Sequence, residues 1–371
     1  MDIKKRDFLA AGVGLGVGLA SSEGMAQQAT PAAQPAATSQ PRYVWSGKQP
    51  ATVDPNYKPR RLNKCIELWE DGQAMYYVSW GPTGEGNGYE MGKKMAQTWA
   101  DCICIDLEHA CFDLGDVRNF MRGLVDGGPT RSGHRTPATF CPMPVLGLSR
   151  DYMESNSWMV AQILATGVMG VNVCHARDPQ AVAAAVQAMR YPFPYPASAR
   201  QALGGLSYEG EGLRGSGSQG FASRIWGVNP NRYVRLADLW PMNPQGELML
   251  GLKIEDKWAL ENVEKTFAVP GVAFAEWGPG DMAMSLNGLS FYPDPPVPRA
   301  TEYSVPASIA PNVREARLRV AAACKASGVG LLDTAIPETV VDSIKLGAKV
   351  IECAERSALI GREYTKRKMP V

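Results

Sequence analysis

Four short strings carry the side chains of this chain best suited to chemistry: Asp106-Leu-Glu108-His109, Arg214-Gly-Ser-Gly217, Lys253-Ile-Glu255-Asp256 and Gly278-Pro-Gly-Asp281. Glu255 and Asp281 each follow a short apolar run of strand type. Both carboxylates are therefore expected at strand ends, where a barrel or an open α/β sheet builds its site. Two such carboxylates suit a hard divalent cation, with Mg, Mn, Co and Zn all open as the ion. Period-two alternation points Lys253 the same way as Glu255, and His175 closes an earlier apolar run, Val171-Asn-Val-Cys-His175. Glu276 and Trp277 stand immediately before the glycine turn, so they are expected at the same mouth.

These positions need a scaffold of strands and helices. Apolar runs predict eight strands: 74–80, 102–108, 144–149, 168–175, 249–255, 272–277, 329–334 and 350–353. Helix-length segments fall between most of them, at 92–100, 117–125, 156–165, 178–190, 256–267, 313–327 and 338–346. Eight buried strands alternating with helices favour a (β/α)8 TIM barrel over a doubly wound sheet. Two stretches interrupt the rhythm: 192–244, between the fourth helix and fifth strand, and the Pro-rich 287–312. Long loops of this kind serve as lids, substrate walls or oligomer contacts. Trp226, Trp240, Tyr208 and Tyr233 in the first insert either line a bulky apolar site or pack the insert onto the barrel.

The 371 residues, 45% hydrophobic and 20% charged with a net charge of +1, describe a globular protein with no electrostatic footprint for nucleic acid. Lys366-Arg-Lys368 is expected to be a solvated basic end. Residues 1–26 read as an export signal of twin-arginine-like type: Lys4-Lys-Arg-Asp-Phe-Leu9 precedes a mild Gly/Ala-rich stretch too short to remain as a membrane span. A periplasmic or exported location follows. Residues 27–55 read as a disordered linker and 56–371 as the barrel domain. The eight cysteines include no C-x-x-C pair, which favours buried thiols over a zinc-thiolate site.

In their order and context, Ile105-Asp-Leu-Glu-His-Ala110, Met189-Arg-Tyr-Pro192, Arg214-Gly-Ser-Gly217, Lys253-Ile-Glu255 with Ala259-Leu-Glu-Asn-Val263, and Gly278-Pro-Gly-Asp-Met-Ala-Met-Ser285 resemble the HpcH/HpaI aldolase family. The resemblance runs from about residue 74 to 353. It implies carbon–carbon bond cleavage or formation through a metal-bound enolate. Glu255 and Asp281 fall on the metal-binding carboxylates, and His109 on the catalytic histidine, whose proton affinity near neutrality suits the task. Gly278 and Gly280 would let backbone amides approach a substrate carboxylate. Arg214, with Gly215, either contacts substrate or braces its loop, and Asp106 and Glu108 would orient His109 or a water. The resemblance also implies a small-molecule substrate and a homo-oligomer.

The chain departs from this pattern in two places. Family members carry an arginine at the end of the third strand, where Gly147 stands here, and Ala165 stands near the acid that pairs with the family histidine. Arg150, Lys253 or His175 could supply the missing charge or proton relay. Lys253 is also a candidate Schiff-base amine, although two metal carboxylates beside it argue against that. The expectation is an exported metal-dependent lyase of aldol or retro-aldol type acting on a 2-oxo acid or related, possibly aromatic, carbonyl compound. The alternatives are altered metal-dependent chemistry (hydrolysis, decarboxylation or small-aldehyde release) and a non-catalytic carboxylate-binding protein.

Overall fold

The structure, a computed structural model, describes residues 43–193, 212–288 and 310–371. Nine parallel strands are present among them: β1 (Met75–Trp80), β2 (Cys102–Ile105), β3 (Ala138–Leu146), β4 (Gly170–Cys174), β5 (Leu239–Trp240), β6 (Leu248–Lys253), β7 (Val272–Glu276), β8 (Gly330–Thr334) and β9 (Ala348–Glu352). Pairing of β4 with β6 and of β1 with β9 closes eight of them into a (β/α)8 barrel, while β5 adds two residues against the start of β6. All eight strands expected from the sequence are there. β3 starts at Ala138, six residues before the expected start, because Pro142 and Pro144 break the strand signature that a register shift between Pro142 and Leu146 accommodates.

The strands alternate between a barrel interior and a helix layer. Inside, Tyr77, Phe140 and Phe274 meet edge to face with centroids 5.4 and 5.3 Å apart, and Trp69 of the helix Lys64–Glu70 adds a ring 6.1 Å from Phe274. Apolar packing thus fills the barrel's lower and middle parts. One residue pair further along β6 and β7, the inward positions become Lys253 and Glu276, which are register neighbours. The interior turns ionic where the strands end.

Two expectations at the chain's edges are corrected. Residues 43–55, read as part of a linker, lie packed on the domain: Thr52 Oγ1 donates to the Arg367 carbonyl (2.7 Å), Asp54 N–H donates to the Lys368 carbonyl (2.9 Å), and Tyr43 and Trp45 rest on the core. Polar, Pro-rich composition concealed backbone hydrogen bonds to a segment more than 300 residues away. That segment is a solvated basic end only in part: Lys366 and Lys368 are exposed, but the residue between them is not. Arg367 is fully buried, and its guanidinium pairs with Asp101 at 2.8 Å. Asp101, itself fully buried, also meets Lys64 and Arg362, each at 3.2 Å. Burial opposes the Asp101 charge, yet these three cations hold its carboxyl far below the usual range.

Residues 1–26, expected to be an export signal, residues 27–42, Tyr208, and parts of both inserts (194–211 and 289–309) lie outside the described residues. No helix among those described is long and apolar enough to cross a membrane. The described remainder of the first insert forms the helices Gln219–Trp226 and Pro230–Leu236. Its aromatics pack the insert onto the barrel. Trp226 Nε1 donates to the Gly167 carbonyl (2.8 Å), Tyr233 stacks edge-on with Trp226 (4.7 Å), and Trp240 lies 5.5 Å from Trp69.

Candidate active site

Four acidic side chains and one ammonium meet at the C-terminal end of the barrel. Lys253 Nζ lies 2.8 Å from Glu108 Oε2 and 2.8 Å from Glu255 Oε2, and Lys253 is only 6% exposed. Burial disfavours its charge, but Glu276, Glu255, Cys174 and Glu108 outweigh burial and keep it protonated far into alkali. This argues against a free amine for Schiff-base chemistry. Glu276 is pushed up to about 8, first by burial and then by Glu255, Glu352 and Glu108, with Lys253 opposing. Cys174 at the end of β4 places its sulfur within 4.8 Å of Glu108 and Glu255 oxygens, and burial raises its thiol well above the ordinary value.

Glu255, on the residue pair after β6, is fully buried, and burial raises its carboxyl above the usual range. Its Oε1 accepts the His175 N–H at 2.8 Å. Its Oε2 has the Lys253 charge beside it but no well-directed hydrogen bond. Gly278 makes this packing possible: its φ is +48°, and a Cβ there would sit 2.2 Å from Glu255 Cβ. From that turn the chain enters the helix Pro279–Asn287, with Asp281 in the first turn, half-buried and without a hydrogen-bond or ion-pair partner among the described residues. A buried carboxylate with one oxygen held by an ion pair but no hydrogen bond, and a second, unpartnered carboxylate just past the same turn, fit a hard divalent cation. Glu255 and Asp281 would hold it.

Two histidines each have an acid partner. His109 Nδ1 lies 3.2 Å from Asp106 Oδ2, while Asp106 Oδ1 accepts the His109 and Glu108 N–H groups at 2.9 and 3.0 Å. The dyad acid missing near Ala165 thus has a local counterpart three residues before the histidine. Asp106 raises the His109 imidazole above its ordinary value, burial opposes this, and Glu108 adds to the rise. His175 Nδ1 contacts Asp256 Oδ2 at 2.8 Å, and Arg177 Nε binds the same oxygen at 2.7 Å. Asp256 also caps the following helix through the Ala259 N–H, and its carboxyl falls to about 2 as these hydrogen bonds overcome burial. His175 holds φ at +44°, a conformation costly for a residue with a Cβ. Its backbone N–H and its ring are fixed by Glu255 and Asp256, which over-determine that turn.

Other expected residues sit elsewhere. Arg150 Nε pairs with Glu154 of its own helix at 2.8 Å. Arg214 is buried at the far end of the helix Pro179–Met189, where its N–H donates to the Arg190 carbonyl. Its guanidinium lies over Tyr191 (4.5 Å) and donates to Tyr233 Oη at 3.2 Å. Helices of a (β/α)8 barrel run opposite to its strands, so Arg214 and Gly215 lie toward the end away from Glu255. Gly217 and Ser218 line a cavity of about 330 Å³ with Arg118, Gln162 and Phe221, and none of the mouth's carboxylates is among its lining residues. Trp277 points outward rather than into the mouth, its Nε1 donating to Asp333 Oδ1 at 3.1 Å, since it alternates with the inward Glu276. Gly280, in the first turn after Gly278, has open space beside its Cα. Gly147 is closed in: a Cβ would lie 2.8 Å from Ala176 Cα, so no arginine fits there.

Sequence reasoning missed Asp256 and Arg177 as partners of His175. Asp256 was legible as an acid directly after Glu255, but its pairing joins two strand ends 81 residues apart.

The fold and the mouth define a (β/α)8 barrel with carboxylates and histidines on the loops that follow the strands. No family model matches the chain. It is similar to a hydroxypyruvate/pyruvate aldolase of Paraburkholderia phytofirmans, 27% identical over 53% of this chain and 61% of that enzyme. It is also similar to a 2-keto-3-deoxy-L-rhamnonate aldolase of Klebsiella pneumoniae, 25% identical over 67% of this chain and 73% of that enzyme. The first match spans about three fifths of the relative's length. In fold, the chain resembles an HpcH/HpaI aldolase/citrate lyase family protein from Burkholderia cenocepacia (TM-score 0.56, 22% identity, covering 80% of this chain and 95% of that one). The resemblance to the HpcH/HpaI aldolases that the sequence motifs carry is thereby borne out.

Proposed function

We propose that this protein is a divalent-metal-dependent carbon–carbon lyase of aldol or retro-aldol type acting on a 2-oxo acid or a related carbonyl compound. The observation that carries the reading is the pair Glu255 and Asp281, one buried with an oxygen that no hydrogen bond satisfies and one unpartnered among the described residues, at a mouth that also holds His109 with Asp106. The aldolase names of the two relatives support it. A bound divalent ion would supply Lewis-acid stabilisation of negative charge on a substrate oxygen, worth several kcal/mol. Its identity among Mg, Mn, Co and Zn is open to metal analysis.

The chain's own groups do the rest. Asp106 takes the Nδ1 side of His109, so the tautomer with Nδ1–H leaves Nε2 free to accept a proton and return it. Glu108, 3.8 Å from that Nε2, favours the imidazolium once formed. Gly278 fixes the turn that seats Glu255 and introduces Asp281. His175, held by Asp256, is a second proton-transfer group at the same mouth.

The test is a panel of 2-oxo acids and aldehydes assayed with metal-loaded and chelated protein. Turnover that vanishes on chelation and returns on reloading supports the reading. Full turnover by chelated protein overturns it. The closed space at Gly147 favours a second reading, in which the same metal centre serves hydrolysis, decarboxylation or small-aldehyde release without a strand-end arginine. We further propose that residues 1–26 direct export and that the barrel assembles as a homo-oligomer.

His109 gives a pH signature. Its free base increases as pH rises through a value above 6.5, so the acid limb of the rate profile lies above 6.5. Asp106→Asn removes the main cause of that rise, and the limb moves to lower pH. A limb that stays in place in Asp106→Asn assigns the titration to another group.

A further inference from the structure

The position of Lys253 bears on how a cation enters the site. Its ammonium lies 2.8 Å from Glu255 Oε2, and a divalent ion on that carboxylate would stand at about 2.0–2.6 Å from its oxygen. Two cations on one carboxylate oxygen repel strongly, because their repulsion in a poorly hydrated mouth far exceeds its value in water. The ammonium has another place to go. Glu108 Oε2 accepts its proton at 2.8 Å, and Glu276 lies beside it in register on the next strand.

We propose that Lys253 is a displaceable internal counter-ion. It neutralises Glu255 while the site lacks a metal, and it withdraws onto Glu108 and Glu276 when a divalent cation binds. The inference rests on the metal reading of Glu255 and Asp281 given above. Two consequences follow. Lys253 sets the metal affinity of the resting protein below what its carboxylates alone would give, and Glu108 aids metal binding from outside the ligand set by receiving the ammonium. The tethered charge also keeps a buried, metal-free Glu255 from standing unpaired.

The experiment is calorimetric titration of the full chain with Mn²⁺, parent and variants at one fixed pH. Lys253→Met and Lys253→Gln are expected to tighten Mn²⁺ binding by roughly tenfold or more, as removal of an adjacent like charge requires. Glu108→Gln is expected to weaken it, and by a larger factor with Lys253 present than in the Lys253→Met background. Thermal unfolding of each variant establishes that it is folded. Unchanged or weaker binding in both folded Lys253 variants overturns the proposal while leaving the metal site itself intact. An equal effect of Glu108→Gln in both backgrounds overturns the withdrawal step. Absence of binding in the parent and in every variant removes the metal reading and this inference together.

Discussion

Replacing Asp281 by alanine is expected to remove divalent metal from the purified protein and to lower turnover by roughly a thousandfold or more, the equivalent of the several kcal/mol a Lewis acid contributes. Asp281 stands in the first turn of its helix, half-buried, and makes no hydrogen bond or ion pair among the described residues. Its loss therefore breaks no internal contact that would unfold the barrel, and the N-terminal end of a helix tolerates a missing acid at a cost below about 1 kcal/mol. Metal content by inductively coupled plasma mass spectrometry, read beside the melting temperature, separates the two effects. Parent protein with near-stoichiometric metal and a variant with none, at similar melting temperature, assigns the site. Metal retained at full stoichiometry by the variant places the ion elsewhere.

The second large effect is structural. Asp101→Asn is expected to cost about 3–5 kcal/mol, because it leaves Lys64, Arg362 and Arg367 crowded in the interior without the charge that compensates them. In a domain of this size that corresponds to a fall in melting temperature of roughly 5–10 °C. The three cations do not contribute equally. Burial lowers the Lys64 ammonium to about 8, even with Asp101 opposing, so it is the member nearest to losing its proton. Thermal or denaturant unfolding checks the expectation, and a melting temperature within 1–2 °C of the parent, the scale of an ordinary surface change, would contradict it.

How much of this was legible in the sequence depended on the range of the interaction. The eight strands follow from local apolar runs, and the carboxylates at 255 and 281 follow from their place just beyond two of those runs. Alternation within a strand correctly turned Lys253 inward, and the same rule, applied to Trp277, turns it away from the mouth, since Glu276 holds the inward position. What could not be read was pairing between distant segments. His175 with Asp256, Arg367 with Asp101, and Thr52 with the Arg367 carbonyl each join stretches 81 to 315 residues apart. Composition misled in those cases because a buried charge and an exposed one are the same letter. Arg214 had two readings, a substrate contact or a brace for its loop. Its glycine-rich setting suggested a ligand loop, whereas its position beyond a helix's end puts it under Tyr191 and Tyr233.

The Asp101 knot and the ionic mouth occupy different parts of the molecule, one binding the helix Lys64–Glu70 and the stretch at 362–367 to the barrel, the other formed by loops after the strands. For directed evolution this sets out where diversity is tolerable. Phe112, Tyr152 and Trp258 are large, solvent-facing side chains on or just after those loops, so a library at these three positions can sample new substrate shapes at little expense in foldedness. Asp101, Arg362 and Arg367 belong in the invariant part of any such library, however far they stand from the chemistry being selected.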